Sequence, residues 1–298
     1  MARKRTGRKL DGWLIIDKPS GMTSTQVVGR VRRLTGAAKL GHGGTLDPMA
    51  TGVLPIALGE ATKTVPYVMD GAKRYRFTLV WGEARDTDDA DGEITATSEM
   101  RPTAEQVRAV LGEFEGDITQ TPPAYSAIKI DGRRAYDLAR AKEEVNPAPR
   151  TVHVASFTLA AMDDADHATF EVTSGKGTYM RALARDLGLR LGTCASVSAL
   201  RRLSVGPFGE KDAVSLERLA ETELAQHLFA VETALDLPSL VMTEIQAGYL
   251  RQGRPVRLLD RLSQPAENEV VLAMFGGKPV ALVRYEAGEI HPMRVLNL

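Results

Sequence analysis

The chain has 298 residues, with 38 Lys and Arg against 38 Asp and Glu, so its formal net charge is zero and no overall basicity signals a nucleic-acid partner. Hydrophobic residues at 43% and charged residues at 26% exclude a disordered chain and leave material for one large domain or two. The single cysteine, Cys194, excludes a disulfide framework and a cysteine-based metal cluster, and without a membrane-length apolar run or an apolar leader a cytoplasmic location is expected.

Residues 1–10 form a basic arm through Arg3, Lys4, Arg5, Arg8 and Lys9, a pattern that suits RNA contact and a solubilising terminus equally. Residues 13–16 predict a short buried strand, broken at Lys18-Pro19-Ser20-Gly21. Thr23 or Ser24 then caps a helix whose Val27, Val28, Val31 and Leu34 follow helical spacing up to Gly36. Tyr75, Phe77, Leu79 and Trp81 alternate with Arg76, Thr78 and Val80, a strand with one face in the core. Thr103 and Gln106 make a capping-box pattern ahead of Val107, Val110, Leu111 and Phe114. Residues 128–130 predict a strand end meeting a turn at Gly132, and 133–144 is a charged, helix-compatible stretch. A strand over 168–174 turns at Gly175-Lys176-Gly177 into a helix from about Thr178. Met180, Leu183, Leu187 and Leu191 form its apolar stripe, and Gly192 follows its end. Strands and helices mix without regular βαβ alternation, which predicts an α+β fold. After Leu237-Pro238, short β-like runs at 270–275 and 279–283 flank Gly276-Gly277-Lys278, and a last run covers 293–296. They predict a small appended β-barrel.

Residues 39–52 hold four glycines, one proline and one carboxylate, Asp47. Pro48 pushes Asp47 out of the helical region into an extended or turn conformation, and the glycines permit close approach of a ligand. An Asp-Pro turn is also ordinary architecture. However, Gly41-His42-Gly43-Gly44-Thr45-Leu46-Asp47-Pro48-Met49-Ala50-Thr51-Gly52 resembles the central motif of the TruB family of tRNA pseudouridine synthases. Gly43 stands where many members carry a larger residue.

Further blocks extend the resemblance over most of residues 11–237: Lys18 to Ser24, Lys73-Arg74-Tyr75, Gln120 to Lys129, Ser174 to Arg181, and Ala199 to Ser204. By this resemblance Asp47 is the catalytic residue, and Tyr75 stacks on the target base. His42 engages the extruded nucleotide, Tyr179 lines the base pocket and Leu200 packs on the nucleoside. Arg181 pairs with Asp47, and Lys18 lies in a segment packed near the catalytic loop. Taken alone, Tyr75 and Leu200 read as core residues and Lys18 as a solvated lysine at a turn. Arg181 and Arg185 would repel on one helix face, which favours an inward partner for one of them.

The resemblance implies a pseudouridine synthase fold, a mixed and largely antiparallel sheet with flanking helices over 11–237. It also implies a PUA-like RNA-binding barrel over 238–298. The implied activity is cofactor-free and metal-free conversion of uridine 55 in the T-loop of tRNA, by a monomer that contacts the T-arm. Two other classes remain open: an RNA-binding or tRNA-folding protein that has lost the reaction, and a metal-dependent hydrolase using Asp86, Asp88, Asp89 and Asp91. The acidic run fails the calcium-loop pattern because Ala90 takes a ligand position, and it reads as a structural loop.

Overall fold

The computed structural model describes residues 7–126, 128–130, 132–141, 143, 145–258 and 264–298. Arg3, Lys4 and Arg5 of the basic arm lie outside the described residues. Arg8 and Lys9 are tied to the fold: Arg8 exchanges backbone hydrogen bonds with Gly36 and Ala38, and Lys9 Nζ donates to Asn297 O at 2.9 Å.

The strand Gly12–Lys18 has no polar alternation because both of its faces are covered. Leu14 and Ile16 enter one core cluster, while Trp13 and Ile15 enter another on the opposite face. This strand belongs to a ten-stranded sheet. Its order is Leu228–Phe229, Gly12–Lys18, Thr51–Leu58, Ala195–Val205, Lys73–Trp81, His167–Ser174, Arg150–Met162 and Gly116–Gln120, with Leu40–His42 and Phe208–Gly209 paired alongside. Thr51–Leu58 runs parallel to Ala195–Val205, and the other pairings in this sheet are antiparallel.

The parallel contact is short, Arg201 opposite Thr51 and Arg202 opposite Gly52, and it places the 39–52 loop beside Leu200. Gly52 has a φ of 98°, and a Cβ there would lie 2.3 Å from Arg202 O, so the junction requires glycine.

One face of the sheet is packed by the helices Ser24–Thr35, Ala104–Leu111 and Met180–Arg190. Val27, Val31, Val107, Leu183 and Leu187 meet a Phe77–Phe157–Phe170 group whose ring centroids are 5.3–5.9 Å apart. The caps fall where the sequence predicts, with reciprocal Thr23–Gln26 and Thr103–Gln106 boxes. The α+β fold with a largely antiparallel sheet is therefore as expected.

Against the other face, Leu272 and Leu282 of a C-terminal five-stranded sheet, with Leu296 just beyond its last strand, join Trp13 and Phe208 in one apolar cluster. That sheet runs Ser239–Val241, Val270–Phe275, Lys278–Glu286, Glu289–Val295 and Val256–Arg257, with the hairpin turning at Gly276-Gly277. It forms a half-barrel consistent with a PUA-like module. Two local expectations change: the helix in 133–144 covers only Ala135–Arg140, and the last strand starts early, at Glu289.

Candidate active site

The loop bearing Asp47 is braced through its main chain. Lys18 is fully buried, not solvated, and its Nζ donates to Pro19 O at 2.9 Å, Pro48 O at 3.0 Å and Ala50 O at 2.5 Å. Burial pushes its pKa down to about 8, with Asp47 opposing and Arg202 assisting. Ser24, the first residue of its helix, donates from Oγ to Leu46 O and accepts from Leu46 N. On the other side buried Arg202 donates from Nε to Val53 O at 2.7 Å and from Nη2 to Gly44 O at 3.2 Å. Gly43 fits a tight spot: a Cβ would lie 3.1 Å from Val68 Cγ1 and 3.4 Å from the Trp13 ring, so a larger residue here would require Val68 to shift.

Arg181 is the second residue of Met180–Arg190 and only 3% exposed, and its Nε lies 2.9 Å from Asp47 Oδ2. This is a close ion pair without an aligned hydrogen bond. The guanidinium is fixed by Nη1 donating to Thr87 O at 2.7 Å and Nη2 donating to Tyr125 O at 2.8 Å, with Asp89 Oδ2 3.4 Å from Nη1. One arginine thus stands between two carboxylates, and its single charge leaves their mutual repulsion partly uncompensated.

Asp47 stays 31% exposed through the cavity, yet its surroundings raise its pKa above the ordinary carboxylate value. Burial is the largest cause; Arg181 opposes it, Asp89 adds to it, and Lys18 opposes it more weakly. Arg185 has its own partners, Asp88, Asp186 and Thr121 O, so the two helix arginines do not compete for one site.

A cavity of about 340 Å³ opens over this pair and is walled by Asp47, Tyr75, Tyr179, Arg181 and Leu200. Five of the expected site residues therefore converge. Tyr75 is half-buried and sits opposite Arg202 on one side and Val172 on the other. Lys18 and His42 are not among the lining residues. His42 ends the strand Leu40–His42 opposite Ile56, and its Nδ1 is buried without a hydrogen-bond partner in the protein. Burial, then the nearby Arg202 charge, push its pKa below the ordinary histidine value.

Sequence reasoning missed Asp89, Arg202, Gln120, Lys73 and Arg150. Asp89 and Arg202 lay inside recognisable motifs without a signal that they turn inward. Gln120 clamps Tyr179, and Lys73 and Arg150 line the cavity. The acidic run is a structural loop: Asp88 meets Arg185, Asp89 accepts from Thr87 and Asp91, and Asp86 accepts from Glu93 N. Among the described residues no group of three His, Cys, Asp or Glu could hold a metal ion.

The arrangement of the main sheet has clear counterparts. It matches the crystal structure of a Cbf5-Nop10-Gar1 complex with a TM-score of 0.73 at 25% identity, over 95% of this chain and 84% of that one. It matches the structure of an H/ACA RNP bound to a substrate RNA containing 2'-deoxyuridine with a TM-score of 0.74 at 22% identity, over 100% and 92% of the two chains. The fold is that of the pseudouridine synthases.

The family model "TruB family pseudouridylate synthase (N terminal domain)" matches residues 32–180. The model "tRNA pseudouridylate synthase B C-terminal domain" matches 181–270. "tRNA pseudouridine synthase B" of Rhodospirillum rubrum is 51% identical over 100% of both chains, and that of Gluconacetobacter diazotrophicus is 53% identical over 99% of this chain and 100% of its own. The chain belongs to the TruB family and is a tRNA pseudouridine synthase.

Proposed function

We propose that the chain isomerises uridine 55 of the tRNA T-loop and that Asp47 carries the chemistry. The observation that carries this reading is the Asp47–Arg181 pair, 2.9 Å apart, on the wall of a cavity shared with Tyr75, Tyr179 and Leu200. At about 340 Å³ the cavity lies within the size range of small-ligand pockets, roughly 300–1,000 Å³. A base can reach it only by leaving its stack, as base-modifying enzymes require.

The reaction breaks the N1–C1′ bond, rotates the uracil, forms the C5–C1′ bond, releases the C5 proton to solvent and leaves N1 carrying a proton, so that the product is an isomer of the substrate. Asp47 serves as the carboxylate for glycosidic cleavage, held ionised by Arg181. Tyr75 stacks on the uracil, Tyr179 and Leu200 wall it, and Lys18 holds the Asp47 loop from behind. His42 contacts the extruded nucleotide and the reshaped T-loop, outside the base cavity. No metal or cofactor enters these steps.

The domain division at 237/238 leaves the C-terminal half-barrel to extend the contact along the T-arm, which is read by shape and backbone. The protein works as a cytoplasmic monomer. Tritium release from T-arm RNA labelled at uridine C5 tests the reading. Release by the wild type that vanishes in Asp47→Asn while RNA binding persists is expected. Binding without release by the wild type would leave an RNA-binding protein that has lost the reaction.

A further inference from the structure

Tyr179 occupies the N-cap of Met180–Arg190, where Ser, Thr, Asp or Asn would satisfy the helix. It makes no capping hydrogen bond. The sequence gives up a cap to put an aromatic ring at the cavity wall, so whatever fixes that ring must come from elsewhere in the fold.

It comes from two residues that face each other across one ladder. Gln120 ends the strand Gly116–Gln120 and Arg150 begins the strand Arg150–Met162, and the two are register partners. Gln120 is 1% exposed; its Nε2 donates to Tyr179 O at 3.1 Å and its Oε1 accepts from Tyr179 N at 2.8 Å. Arg150 places its guanidinium carbon 5.0 Å from the centroid of the Tyr179 ring, and its Nη2 donates to Gly177 O. The guanidinium is seated against Gly177, where a Cβ would lie 3.5 Å from Nη2 and 3.6 Å from Cζ. Arg150 Nε is buried with no hydrogen-bond partner in the protein. The guanidinium thus has two contacts on this wall, the Tyr179 ring and Gly177 O.

We propose that Gln120 and Arg150 are paired positioning residues for the base pocket, Gln120 fixing the main chain of Tyr179 and Arg150 fixing its ring. The inference rests on the reading of this cavity as the uridine site. The pair preorganises one wall of the pocket before RNA arrives and acts on the rate through Tyr179. Arg150 is not assigned a phosphate contact: its guanidinium carbon lies over the tyrosine ring and one of its nitrogens is committed to Gly177 O.

The test combines kinetics with amide exchange. Tritium release from T-arm RNA is measured for Gln120→Leu, Arg150→Met and Arg150→Lys, and for Arg150→Met in a Tyr179→Leu background. Each of the first two is expected to lower kcat about tenfold, the worth of one cation–π contact or hydrogen bond, with KM within about twofold of the wild type. Arg150→Lys, which keeps the charge but loses the plane, should not restore kcat. In the Tyr179→Leu background Arg150→Met should add no further loss, because the ring it acts on is gone.

A raised KM with unchanged kcat, rescue by lysine, or an undiminished penalty without the ring would overturn the inference in favour of direct RNA contact. Independently of activity, Gln120→Leu should speed hydrogen exchange at the Tyr179 amide at least about tenfold, since that amide loses its acceptor. Unchanged exchange overturns the main-chain half of the clamp. No release by the wild type would instead sink the uridine reading, with the clamp still judged by exchange.

Discussion

Arg181→Lys asks whether the work of this arginine is to keep Asp47 ionised. The guanidinium serves four acceptors at once: Asp47 Oδ2 at 2.9 Å, Asp89 Oδ2 at 3.4 Å, Thr87 O at 2.7 Å and Tyr125 O at 2.8 Å. A lysine has three donors on one nitrogen and cannot span both carboxylates and both carbonyls. Losing one charge-assisted contact removes about 1.5–3 kcal/mol. If Asp47 bears that loss, its pKa rises above the wild-type value. Burial already raises this carboxyl and Arg181 is the largest opposing influence, so the substitution moves it further in the same direction. On the proposed reading the ionised form reacts, so the acid limb of kcat against pH should shift upward, with the rate on that limb falling about ten- to a hundredfold, at 1.36 kcal/mol per factor of ten. Rate lost near neutrality should return on the alkaline side. Single-turnover tritium release across pH, with enzyme in excess, reads this directly. A profile that falls uniformly while keeping its wild-type shape would refute the electrostatic role and leave Arg181 as scaffold.

Two substitutions probe the surroundings. Lys18→Met strips the donor from three carbonyls, Pro19, Pro48 and Ala50. Relief of a buried charge offsets part of that cost, and urea unfolding should register a net loss of roughly 2–4 kcal/mol; wild-type stability would show that the loop needs no such brace. Asp88→Asn keeps a backbone φ of 60° that asparagine tolerates. Burial, ahead of Arg185 and Arg181, raises the Asp88 carboxyl from the ordinary 3.8 to about 6. The folded state therefore binds this proton more tightly than the unfolded chain, and wild-type stability should decline as pH climbs through that window. By linkage the decline amounts to at most about 3 kcal/mol. The asparagine variant should lack this component, and a wild-type minus variant difference that stays flat with pH would exclude Asp88 as its source.

What was legible in the sequence was local. Period-2 alternation marked Lys73–Trp81 and His167–Ser174, a Thr-x-x-Gln pair marked the start of Ala104–Leu111, and Thr23 or Ser24 marked the start of the first helix. Glycine and proline around Asp47 announced a constrained loop for the same short-range reason. The polar contacts that complete the site are not local. Lys18 reaches Pro48 over 30 residues, Gln120 reaches Tyr179 over 59, and Arg181 reaches Thr87 over 94. Nothing in the pattern around Lys18 distinguishes a solvated turn lysine from one whose three protons meet carbonyls. The difference arises only when Thr51–Leu58 pairs with Gly12–Lys18 and, in parallel, with Ala195–Val205. Motif resemblance brought forward Asp47, Tyr75, Tyr179, Arg181 and Leu200, which share one cavity, and Lys18 and His42, which do not line it. It left Gln120 and Arg150 in the background because they act through Tyr179.

The braces account for the reactivity proposed for Asp47. Asp89, its electrostatic twin, has Oδ1 occupied by Thr87 Oγ1 and Asp91 N as well as Arg181 near Oδ2. It is 4% exposed and fixed. Asp47 has the Arg181 ion pair and stays open to the cavity. A carboxylate saturated with hydrogen bonds is stabilised as an anion and is a poorer nucleophile; one held by a single cation in a partly dry site keeps more of its basicity. Leaving it so would cost positional precision if the side chain were the only anchor. Lys18, Ser24 and Arg202 remove that conflict by gripping carbonyls of residues 44–53 instead of the carboxylate. The loop is held through its backbone, and the Asp47 oxygens keep unspent lone pairs toward the cavity, as the proposed reaction requires.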